Sequence, residues 1–367
     1  MTVARKRVLF LVPSLIAGGA QRVFSVLLRH LDRDRFEPHL ALVQATGPYM
    51  ADLPSDVVVH NLNISRVRYS LPSVIKVIRK VRPDTVLCTL GHMNLTSVLA
   101  QPFMPKGTRL ILREAAIATS FLEEETSRPQ LWKWFYRRFY RKADMIVCLS
   151  DSMVDDFVNQ FGLPRQKLVR IYNPVDLERV RAMADEGGNP FTGPGPQLVA
   201  ASRLCRQKGF DVLLDAMPAV LARLPQAHLT ILGDGPLELS LKEQAAKLAL
   251  GEAVSFLGFQ YNPFPYLKHA GLFLLPSRYE GLPNIVLEAL ALGTRVIASD
   301  CPGGLREIQA RHDRLTLVPP EDPYALADAV ISLCNHARDT RRTPEPSVEA
   351  LRDFDLQQVV EEYSKIF

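Results

Sequence analysis

Short apolar runs alternate with helix-like segments along almost all of this chain, and this alternation constrains the fold more than any other feature. Seven runs come first and six more follow a break: RVLFLV, PHLALV, DVVVHN, TVLCTL, RLILR, DMIVCLS and LVRIYN, then QLVAASRL, AHLTILG, AVSFLG, GLFLLP, RVIASD and LTLVPP. Runs this short and this uniformly apolar are typical of parallel strands that are buried on both faces. Strands separated by helices predict an α/β fold of doubly wound parallel sheets.

A segment rich in Gly and Pro, residues 185–196, separates the two series of strands. With 367 residues, the chain is longer than one ordinary domain. We therefore predict two Rossmann-like domains facing each other across a cleft, formed by residues 1–173 and 174–353. The final segment, DLQQVVEEYSKIF, has the periodicity of an amphipathic helix, but the pattern does not indicate which domain it covers.

Composition limits the class of protein. The apolar runs are too short to span a membrane, and residues 1–12 read as a basic lead and a strand rather than a signal peptide. The cysteines are scattered and odd in number, which favours reduced thiols in the cytoplasm and argues against a zinc site. They are Cys88, Cys148, Cys205, Cys301 and Cys334.

Charge is distributed unevenly between the two halves of the chain. Residues 1–173 carry a net charge of +11, whereas residues 174–367 carry −6. The basic half either faces an anionic partner or has this charge by chance. A nucleic-acid partner is not expected, because the basic residues accompany no recognition module.

Ligands of open α/β sheets bind at the carboxyl ends of the strands, so the residues after each run are candidate site residues. After the first run, Gly18 and Gly19 precede a helix, where backbone N–H groups could approach an anion. An ordinary strand-to-helix turn explains these two glycines equally well. In SRLCRQKGF, Arg203 and Lys208 stand beside a helix start, and a guanidinium with an ammonium group suits a diphosphate.

Two further loops could contact a flat ligand such as a base. Gly233 and Gly235 follow one strand in GDGP, and Phe259 follows the next in FLGFQ. Both loops offer accessible backbone, although both are also consistent with ordinary turns.

The segment SRYEGLPNIVLEALALGT, residues 277–294, turns from a loop into an apolar helix. Pro283 suits the first helical turn, where its missing N–H is not needed. The amides of Asn284 and Ile285 then lack helical acceptors, and we expect them beside Arg203 and Lys208.

Two glutamates in the same segment have different expected roles. Glu288 lies on the side of the helix that faces the site, where a carboxylate can accept hydrogen bonds from the vicinal diol of a ribose. Glu280 precedes the helix, beyond the diphosphate, where it would meet the group that the diphosphate carries. The layout predicts a nucleotide sugar, with donor-binding residues Gly281, Leu282, Asn284, Ile285 and Glu288 in this segment.

Taken together, these motifs resemble a known family. The Glu280–Glu288 pair stands with five other motifs, SRL…KGF, GDGP, NPFPYL, IYNPVD and GGAQRV. The ordered set closely resembles the retaining glycosyltransferases of family 4, which have the GT-B fold, and it extends from about residue 8 to residue 335.

The resemblance implies roles at the matching positions. Glu288 would bind the donor ribose, Glu280 the hydroxyls of the donor sugar, and Gly18–Gly19 would lie near the phosphates or the acceptor. Arg203 and Lys208 would neutralise the diphosphate and stabilise the departing nucleotide. Since the last helix of such proteins commonly crosses back, residues of about 354–367 would rejoin the first domain.

The resemblance also implies that no metal or cofactor is needed. The motif D-x-D occurs twice, at Asp32/Asp34 and at Asp353/Asp355, but both copies are predicted to be turns that flank helices.

Residues after two strands of the first domain are further candidates. His92, in TLGHMN, is similar to a histidine of the family's cleft and would bond the sugar or orient the acceptor hydroxyl, unless it is structural. Arg113 and Glu114 follow the next strand and are candidate acceptor contacts. The sequence shows no evident nucleophile. Transfer with retention of the anomeric configuration therefore fits attack by the acceptor on the same face of the sugar that the nucleotide leaves.

We therefore expect transfer of a hexose or N-acetylhexosamine from a UDP-sugar to a growing, lipid-linked glycan, in cell-surface polysaccharide or glycoconjugate biosynthesis. Two alternatives remain open: a sugar-nucleotide epimerase of the same fold, and a non-catalytic subunit that binds a nucleotide sugar.

Residues 128–142 predict contact with an anionic membrane, on the cytoplasmic face. In a helix, Lys133, Arg137 and Arg141 form a basic stripe beside an apolar arc. Packing of the arc on the sheet of the first domain is the alternative. The arc comprises Leu131, Trp132, Phe135, Tyr136, Phe139 and Tyr140, and Arg138 and Lys142 lie at its edge.

Overall fold

The computed structural model describes residues 5–16, 18–337 and 348–367. Its chain divides into two compact units. Unit 1 is Met1–Pro174 with Leu356–Phe367, and unit 2 is Val175–Asp355.

Unit 1 is built on a sheet of seven strands, all paired in parallel, in the order β3-β2-β1-β4-β5-β6-β7. Each of the first seven apolar runs forms one strand, as predicted. The strands are β1 Lys6–Val12, β2 Phe36–Leu42, β3 Val58–Asn61, β4 Thr85–Thr89, β5 Arg109–Arg113, β6 Met145–Cys148 and β7 Leu168–Arg170.

Burial on both faces holds for the central strands and is wrong at the edge. In β1, every residue from Val8 to Val12 is fully buried. In β3, Val58 and Val59 are 44% and 39% exposed. The reason is position, because β3 ends the sheet and pairs with β2 alone.

Among the described residues, seven α-helices accompany this sheet, and the last of them, α14 Leu356–Ile366, lies near residue 367. The aromatic ring of Phe367 packs edge-on against Phe10 and Phe36. Thr85 Oγ1 donates a hydrogen bond to the Phe367 carbonyl at 3.1 Å, which ties this helix to β4. The helices are α1 Gly19–His30, α2 Leu71–Val81, α3 Gly91–Ala100, α4 Ala118–Glu125, α5 Pro129–Phe139, α6 Asp151–Phe161 and, at the chain end, α14 Leu356–Ile366.

Unit 2 has a parallel sheet of six strands in the order β10-β9-β8-β11-β12-β13. Its strands are β8 Gln197–Ala201, β9 His228–Leu232, β10 Val254–Phe256, β11 Leu272–Leu275, β12 Val296–Ser299 and β13 Leu315–Val318. Its helices are α7 Leu177–Ala184, α8 Phe210–Arg223, α9 Glu238–Lys247, α10 Phe264–His269, α11 Asn284–Ala291, α12 Leu305–Gln309 and α13 Pro323–Ala337. Apolar side chains of α8, β8, β9 and α13 form its core.

Each sheet contains one place where the strand order reverses direction. In unit 1 the reversal lies between β1 and β4, and in unit 2 it lies between β8 and β11. At such a switch point the loops after the two strands leave in opposite directions and open a crevice, in which α/β proteins bind ligands. Both crevices are therefore the places to look for a site.

Candidate functional site

In unit 2, two loops meet at the switch point: residues 202–209 after β8 and residues 276–283 after β11. Gly209 has φ of +63°, and a Cβ there would lie 2.0 Å from the Pro276 carbonyl oxygen. Only glycine permits this approach. The Arg278 amide donates to the Gln207 carbonyl at 2.8 Å, so the two loops are fixed to each other.

The structure joins two of the predicted catalytic residues across these loops. Lys208 Nζ donates to Glu280 Oε1 at 2.6 Å, and Ser277 Oγ donates to the same oxygen at 2.6 Å. The side chains of Lys208 and Glu280 are 16% and 6% exposed, so the ion pair is largely desolvated. An ammonium group has three N–H donors, so this pair leaves Lys208 donor capacity for an anion.

Arg278 was not singled out from the sequence, although it holds the site in place. Its guanidinium donates to both carboxylate oxygens of Asp211, at 2.9 and 2.7 Å, and to Glu321 Oε2 at 3.0 Å. This network raises the pKa of Arg278, and the largest cause is the hydrogen bonding that its guanidinium donates to Asp211. A charged residue in a loop has no periodicity, so its partners could not be read from the sequence.

Arg203 is exposed in the first of the two loops, and the predicted glycines pack against that loop. A Cβ on Gly233, whose φ is +136°, would lie 1.9 Å from the Ser202 carbonyl oxygen. On Gly235 it would lie 2.4 Å from the Leu204 carbonyl oxygen. Close approach of the two loops therefore accounts for both glycines without a ligand.

Phe259 belongs to the same group of loops. The Gly233 amide donates to the Gly258 carbonyl at 2.8 Å, which joins the loops after β9 and β10. The Phe259 side chain is 37% exposed, so its ring is accessible to a ligand.

Helix α11 begins directly after Pro283. Pro283 is its N-cap residue, with φ −76° and ψ 106°, and Asn284 is the first helical residue. Asn284 and Ile285 are half-buried, and Leu282 is 4% exposed. The Gly304 amide donates to the Gly281 carbonyl at 2.7 Å, which anchors the loop before the helix.

Glu288 is buried in α11 with 4% of its surface exposed, although the helix is otherwise almost entirely apolar. Desolvating a carboxylate is unfavourable unless hydrogen bonds or a cation compensate it. The first amides of a helix carry a partial positive charge, which makes this end of α11 suitable for an anionic ligand.

In unit 1, His92 stands in the first turn of α3, directly after β4. Leu90, the N-cap residue of α3, has φ of +74°, a conformation that L-residues rarely adopt. The imidazole packs edge-on against Trp132 with ring centroids 5.2 Å apart. Desolvation lowers the pKa of His92 below its usual value, so the ring is neutral at pH 7.

The loop that carries Gly18 is also part of unit 1. Gly18 is the N-cap residue of α1, and Gly19 is its first helical residue. Upstream in the same loop, the Leu15 amide donates to the Thr46 carbonyl at 2.9 Å, which links the loops after β1 and β2.

Arg113 is fully buried, which gives no support to its predicted contact with an acceptor. Its guanidinium donates to Tyr363 Oη, Thr89 Oγ1 and Asn173 Oδ1, at 3.2, 3.2 and 2.6 Å. Arg113, the last residue of β5, thus connects α14 to the carboxyl end of β4. Its position in the sequence did not reveal this structural role.

Glu114 is also buried, with 5% of its surface exposed. Its Oε1 accepts a hydrogen bond from Asn94 Nδ2 at 2.6 Å and another from the Tyr140 hydroxyl. Burial raises the pKa of Glu114 to about 7, although these two hydrogen bonds and the charge of Arg113 oppose the rise. This geometry supports an internal role rather than the predicted contact with an acceptor.

The basic stripe predicted on α5 is wrong at Lys133, which is buried, whereas Arg137 and Arg141 are exposed and also donate hydrogen bonds within the protein. Lys133 is 9% exposed, and its Nζ donates to Glu123 at 2.6 Å. Arg137 and Arg141 donate to the carbonyls of Gln160 and Gly162, at 2.8 Å each from Nη2. Carbonyls at a helix end lack partners within the helix, and these two arginines satisfy them at the end of α6.

The predicted apolar arc of α5 is divided between core and surface. Tyr136 and Tyr140 are buried, whereas Leu131 is 45% exposed. Trp134, which the arc did not include, is 53% exposed. In the part of the chain that the structure describes, no helix has the length and apolar character needed to cross a membrane.

The two D-x-D motifs are engaged within the protein. Asp32 Oδ1 accepts from the Asp34 amide at 2.8 Å, and Asp353 pairs with Arg311 at 2.9 Å. Across residues 5–16, 18–337 and 348–367, no group of three or more His, Cys, Asp or Glu side chains is placed to hold a metal ion.

Comparison with known proteins places the chain in a family. A profile described as Glycosyltransferase Family 4 matches residues 17–179, and one described as Glycosyl transferases group 1 matches residues 195–336. An N-acetylgalactosamine-N,N'-diacetylbacillosaminyl-diphospho-undecaprenol 4-alpha-N-acetylgalactosaminyltransferase of Campylobacter jejuni is 29% identical, over 80% of this chain and 81% of its own. A lipopolysaccharide core biosynthesis glycosyltransferase of Rhizobium meliloti is 27% identical, over 78% of this chain and 77% of its own.

Solved structures agree on the fold. HepE of Anabaena, crystallised with UDP-glucose, aligns with a TM-score of 0.78 over 99% of both chains, at 21% identity. The strand orders of both sheets, the motifs at the second switch point and the two profile matches lead to one conclusion: the chain belongs to the family 4 glycosyltransferases and has the GT-B fold.

Proposed function

We propose that this protein is a retaining, metal-independent glycosyltransferase that moves a hexose or N-acetylhexosamine from a UDP-sugar to a lipid-linked glycan. The observation that carries the proposal is the ion pair Lys208–Glu280, whose Nζ and Oε1 atoms lie 2.6 Å apart at the switch point of unit 2. Lys208 is in the same loop as Arg203.

The charges of this site fit a nucleoside diphosphate sugar. Arg203 and Lys208 neutralise the diphosphate, which is the task that a divalent cation performs in other enzymes. The amino-terminal end of α11 adds partial positive charge, and Glu288 accepts hydrogen bonds from the ribose hydroxyls. A UDP donor is supported by the UDP-glucose bound to the similar protein HepE.

The same residues support the chemistry. The bond between the anomeric carbon and the diphosphate breaks, the acceptor oxygen bonds to that carbon from the same face, and UDP leaves. The proton of the acceptor hydroxyl passes to the departing phosphate oxygen. Arg203 and Lys208 stabilise the negative charge that grows on the phosphate, and Glu280 holds the sugar hydroxyls.

A lipid-linked acceptor and a role in cell-surface glycan synthesis are supported by the relatives. The name of the Campylobacter protein describes transfer to a diphospho-undecaprenol substrate, and that of the Rhizobium protein describes lipopolysaccharide core synthesis. An acceptor of this kind requires the enzyme to reach a membrane surface.

We assign membrane contact to an aromatic face of α5, defined by Leu131, Trp134, Phe135 and Phe139 and flanked by Arg138 and Lys142. Leu131 and Trp134 are exposed. Lys142 Nζ and the Arg138 guanidinium lie 5.3 and 5.9 Å from the Phe139 ring centroid. Cations beside aromatic rings match the headgroup level of an anionic leaflet, here the cytoplasmic one.

The donor is tested with a panel of UDP-sugars. We expect one or more of them to raise the Tm of the protein, and the best of them to be consumed when a lipid-linked glycan is added, with excess EDTA present. Conversion of the UDP-sugar to an isomer without acceptor would instead indicate an epimerase. Failure of every UDP-sugar to bind would refute the proposal.

Flotation with vesicles tests the membrane contact. The protein should float with vesicles rich in phosphatidylglycerol at low salt and detach at high salt, because exposed charges are screened. Trp134→Ala and the pair Arg138→Ala/Lys142→Ala should float less. Leu239→Ala is the matched control, since Leu239 is 72% exposed in unit 2. A wild-type protein that never floats would exclude this contact.

A further inference from the structure

Unit 1 has an open pocket at its own switch point, outside the carboxyl ends of β1, β2 and β4. The pocket has a volume of about 380 Å³ and is lined by residues 13–14, 43–44 and 65–68 and by His92. Two arginines, Arg66 and Arg68, are among its lining residues, and both are exposed. None of the described residues that line it is acidic.

The loops around this pocket are fixed by hydrogen bonds rather than loosely packed. The amides of Leu62 and Ile64 donate to the carbonyls of Leu42 and Val43, at 2.8 and 3.0 Å. Asn61 Oδ1 accepts from the Ala45 amide at 3.2 Å, which adds a bond between the loops after β2 and β3. The wall opposite β1 is therefore pre-formed.

The segment that carries the arginines is anchored as well. Arg66 is the N-cap residue of a 3₁₀ turn, Val67–Tyr69, and Ser70 behind that turn is fully buried. Ser70 Oγ donates to the Val67 carbonyl at 2.7 Å. The Arg68 guanidinium lies over the Tyr69 ring, 4.8 Å from its centroid, a contact that restricts the arginine.

We propose that this pocket binds the glycosyl acceptor, and that Arg66 and Arg68 select acceptors bearing an oxyanion close to the hydroxyl that is glycosylated. This inference rests on the proposed function and specifies the chemistry of its second substrate. Two guanidinium groups in a pocket whose described lining contains no carboxylate favour a phosphate or carboxylate ligand, because planar N–H pairs match its oxygens.

The position of His92 is consistent with this assignment. It lines the pocket from the loop after β4, and its lowered pKa leaves the imidazole neutral, so one ring nitrogen can accept a hydrogen bond from an acceptor hydroxyl. The arginines bind the charged part of the acceptor, and His92 orients the hydroxyl.

The two tryptophans of the chain provide a direct test, because Trp132 contacts His92. Trp134→Phe leaves Trp132 as the single reporter. This variant is saturated with UDP to fill the donor site, and four probes are titrated: farnesyl diphosphate, inorganic pyrophosphate, glucuronate and the neutral alcohol farnesol.

We expect saturable changes in Trp132 fluorescence with the anions and none with farnesol. In the same background, Arg66→Glu and Arg68→Glu should each weaken anion binding at least tenfold, whereas Lys106→Glu should change it less than twofold. Lys106 is an exposed cation in the loop before β5, so it lies at the amino-terminal ends of the strands, whereas the pocket lies at their carboxyl ends. Unchanged Tm and UDP affinity show that the charge reversals leave the fold intact.

The probes also distinguish the source of the oxyanion. Tighter binding of farnesyl diphosphate than of pyrophosphate supports a lipid diphosphate, and tighter binding of glucuronate supports an acidic sugar. Anion binding that survives both charge reversals, or no anion binding at all, overturns the inference. Loss of the proposed function would appear separately, as failure to bind UDP.

Discussion

The two switch points have the same topology, but their side chains differ in burial and in charge. In unit 2 the crevice beside β8 and β11 holds a buried ion pair, Lys208–Glu280, within loops that pack closely on each other. In unit 1 the crevice beside β1 and β4 is an open pocket with two exposed arginines. The first is shaped for one particular ligand, whereas the second presents charge to a ligand whose remainder can vary.

Each unit also buries a carboxylate after a strand, and the two environments differ. Glu280 accepts hydrogen bonds from an ammonium group and a hydroxyl. Glu114 accepts them from two neutral groups, Asn94 and Tyr140. Desolvation by burial raises the pKa of Glu114, and its two neutral hydrogen-bond partners and the charge of Arg113 offset this rise only in part.

The largest effect should come from the cations of unit 2. We expect Arg203→Ala or Lys208→Ala to lower kcat/KM by roughly 100-fold or more, because each removes a charged contact to the departing diphosphate. Steady-state kinetics with the best UDP-sugar measures this, and Lys247→Ala, an exposed lysine of α9, is the control. Near-normal turnover in both variants would contradict the assignment of the donor diphosphate to the crevice of unit 2.

Substitution of Glu114 should change the stability of the protein rather than its affinity for the donor. Its raised pKa means that folding favours the protonated form, so its stabilising contribution is complete below pH 4.5 and is lost as pH rises through about 7. Glu114→Gln imitates the protonated form. Its free energy of unfolding, relative to wild type, should therefore rise between pH 4.5 and 8 by on the order of 2 to 3 kcal/mol.

Denaturant unfolding at several pH values measures that difference, with the exposed Glu243→Gln as control. A difference between Glu114→Gln and wild type that does not change with pH would show that folding does not shift the pKa of Glu114.

Glu280→Gln should separate turnover from nucleotide binding. We expect turnover to fall about tenfold while UDP affinity is kept, because UDP carries no sugar for Glu280 to hold. Calorimetry with UDP, set beside kcat, tests this. Equal losses in both quantities would mean that Glu280 acts only by positioning Lys208.

Removal of metal should have the smallest effect. Excess EDTA should leave the rate unchanged, since Arg203 and Lys208 supply the positive charge. An activity that disappears with EDTA and returns with Mn²⁺ or Mg²⁺ would contradict this account of unit 2.

The strands and their order of appearance could be predicted because parallel strands bury both faces and therefore read as apolar runs. The edge strand β3 was the exception, since an apolar run does not reveal how many neighbours it has. The positions of Lys208 and Glu280 could be predicted for a related reason, because both follow strands that adjoin the switch point. Their roles in catalysis stay predictions.

Side-chain partners could not be predicted. A helical projection of α5 groups Lys133, Arg137 and Arg141 on one side, but it contains neither Glu123 nor the carbonyls of α6 that engage them. Arg66 and Arg68 could not be singled out, because the loop that carries them has no periodicity and its role depends on a pocket that four chain segments line.

UDP affinity in two sets of variants tests most directly the claim that unit 2 binds the donor and unit 1 the acceptor. Calorimetry should show a loss of at least tenfold in Lys208→Ala and Glu288→Gln, and a change of less than twofold in His92→Ala and Arg66→Glu. If the unit 1 variants lost UDP affinity as severely as the unit 2 variants, this division of roles would be wrong.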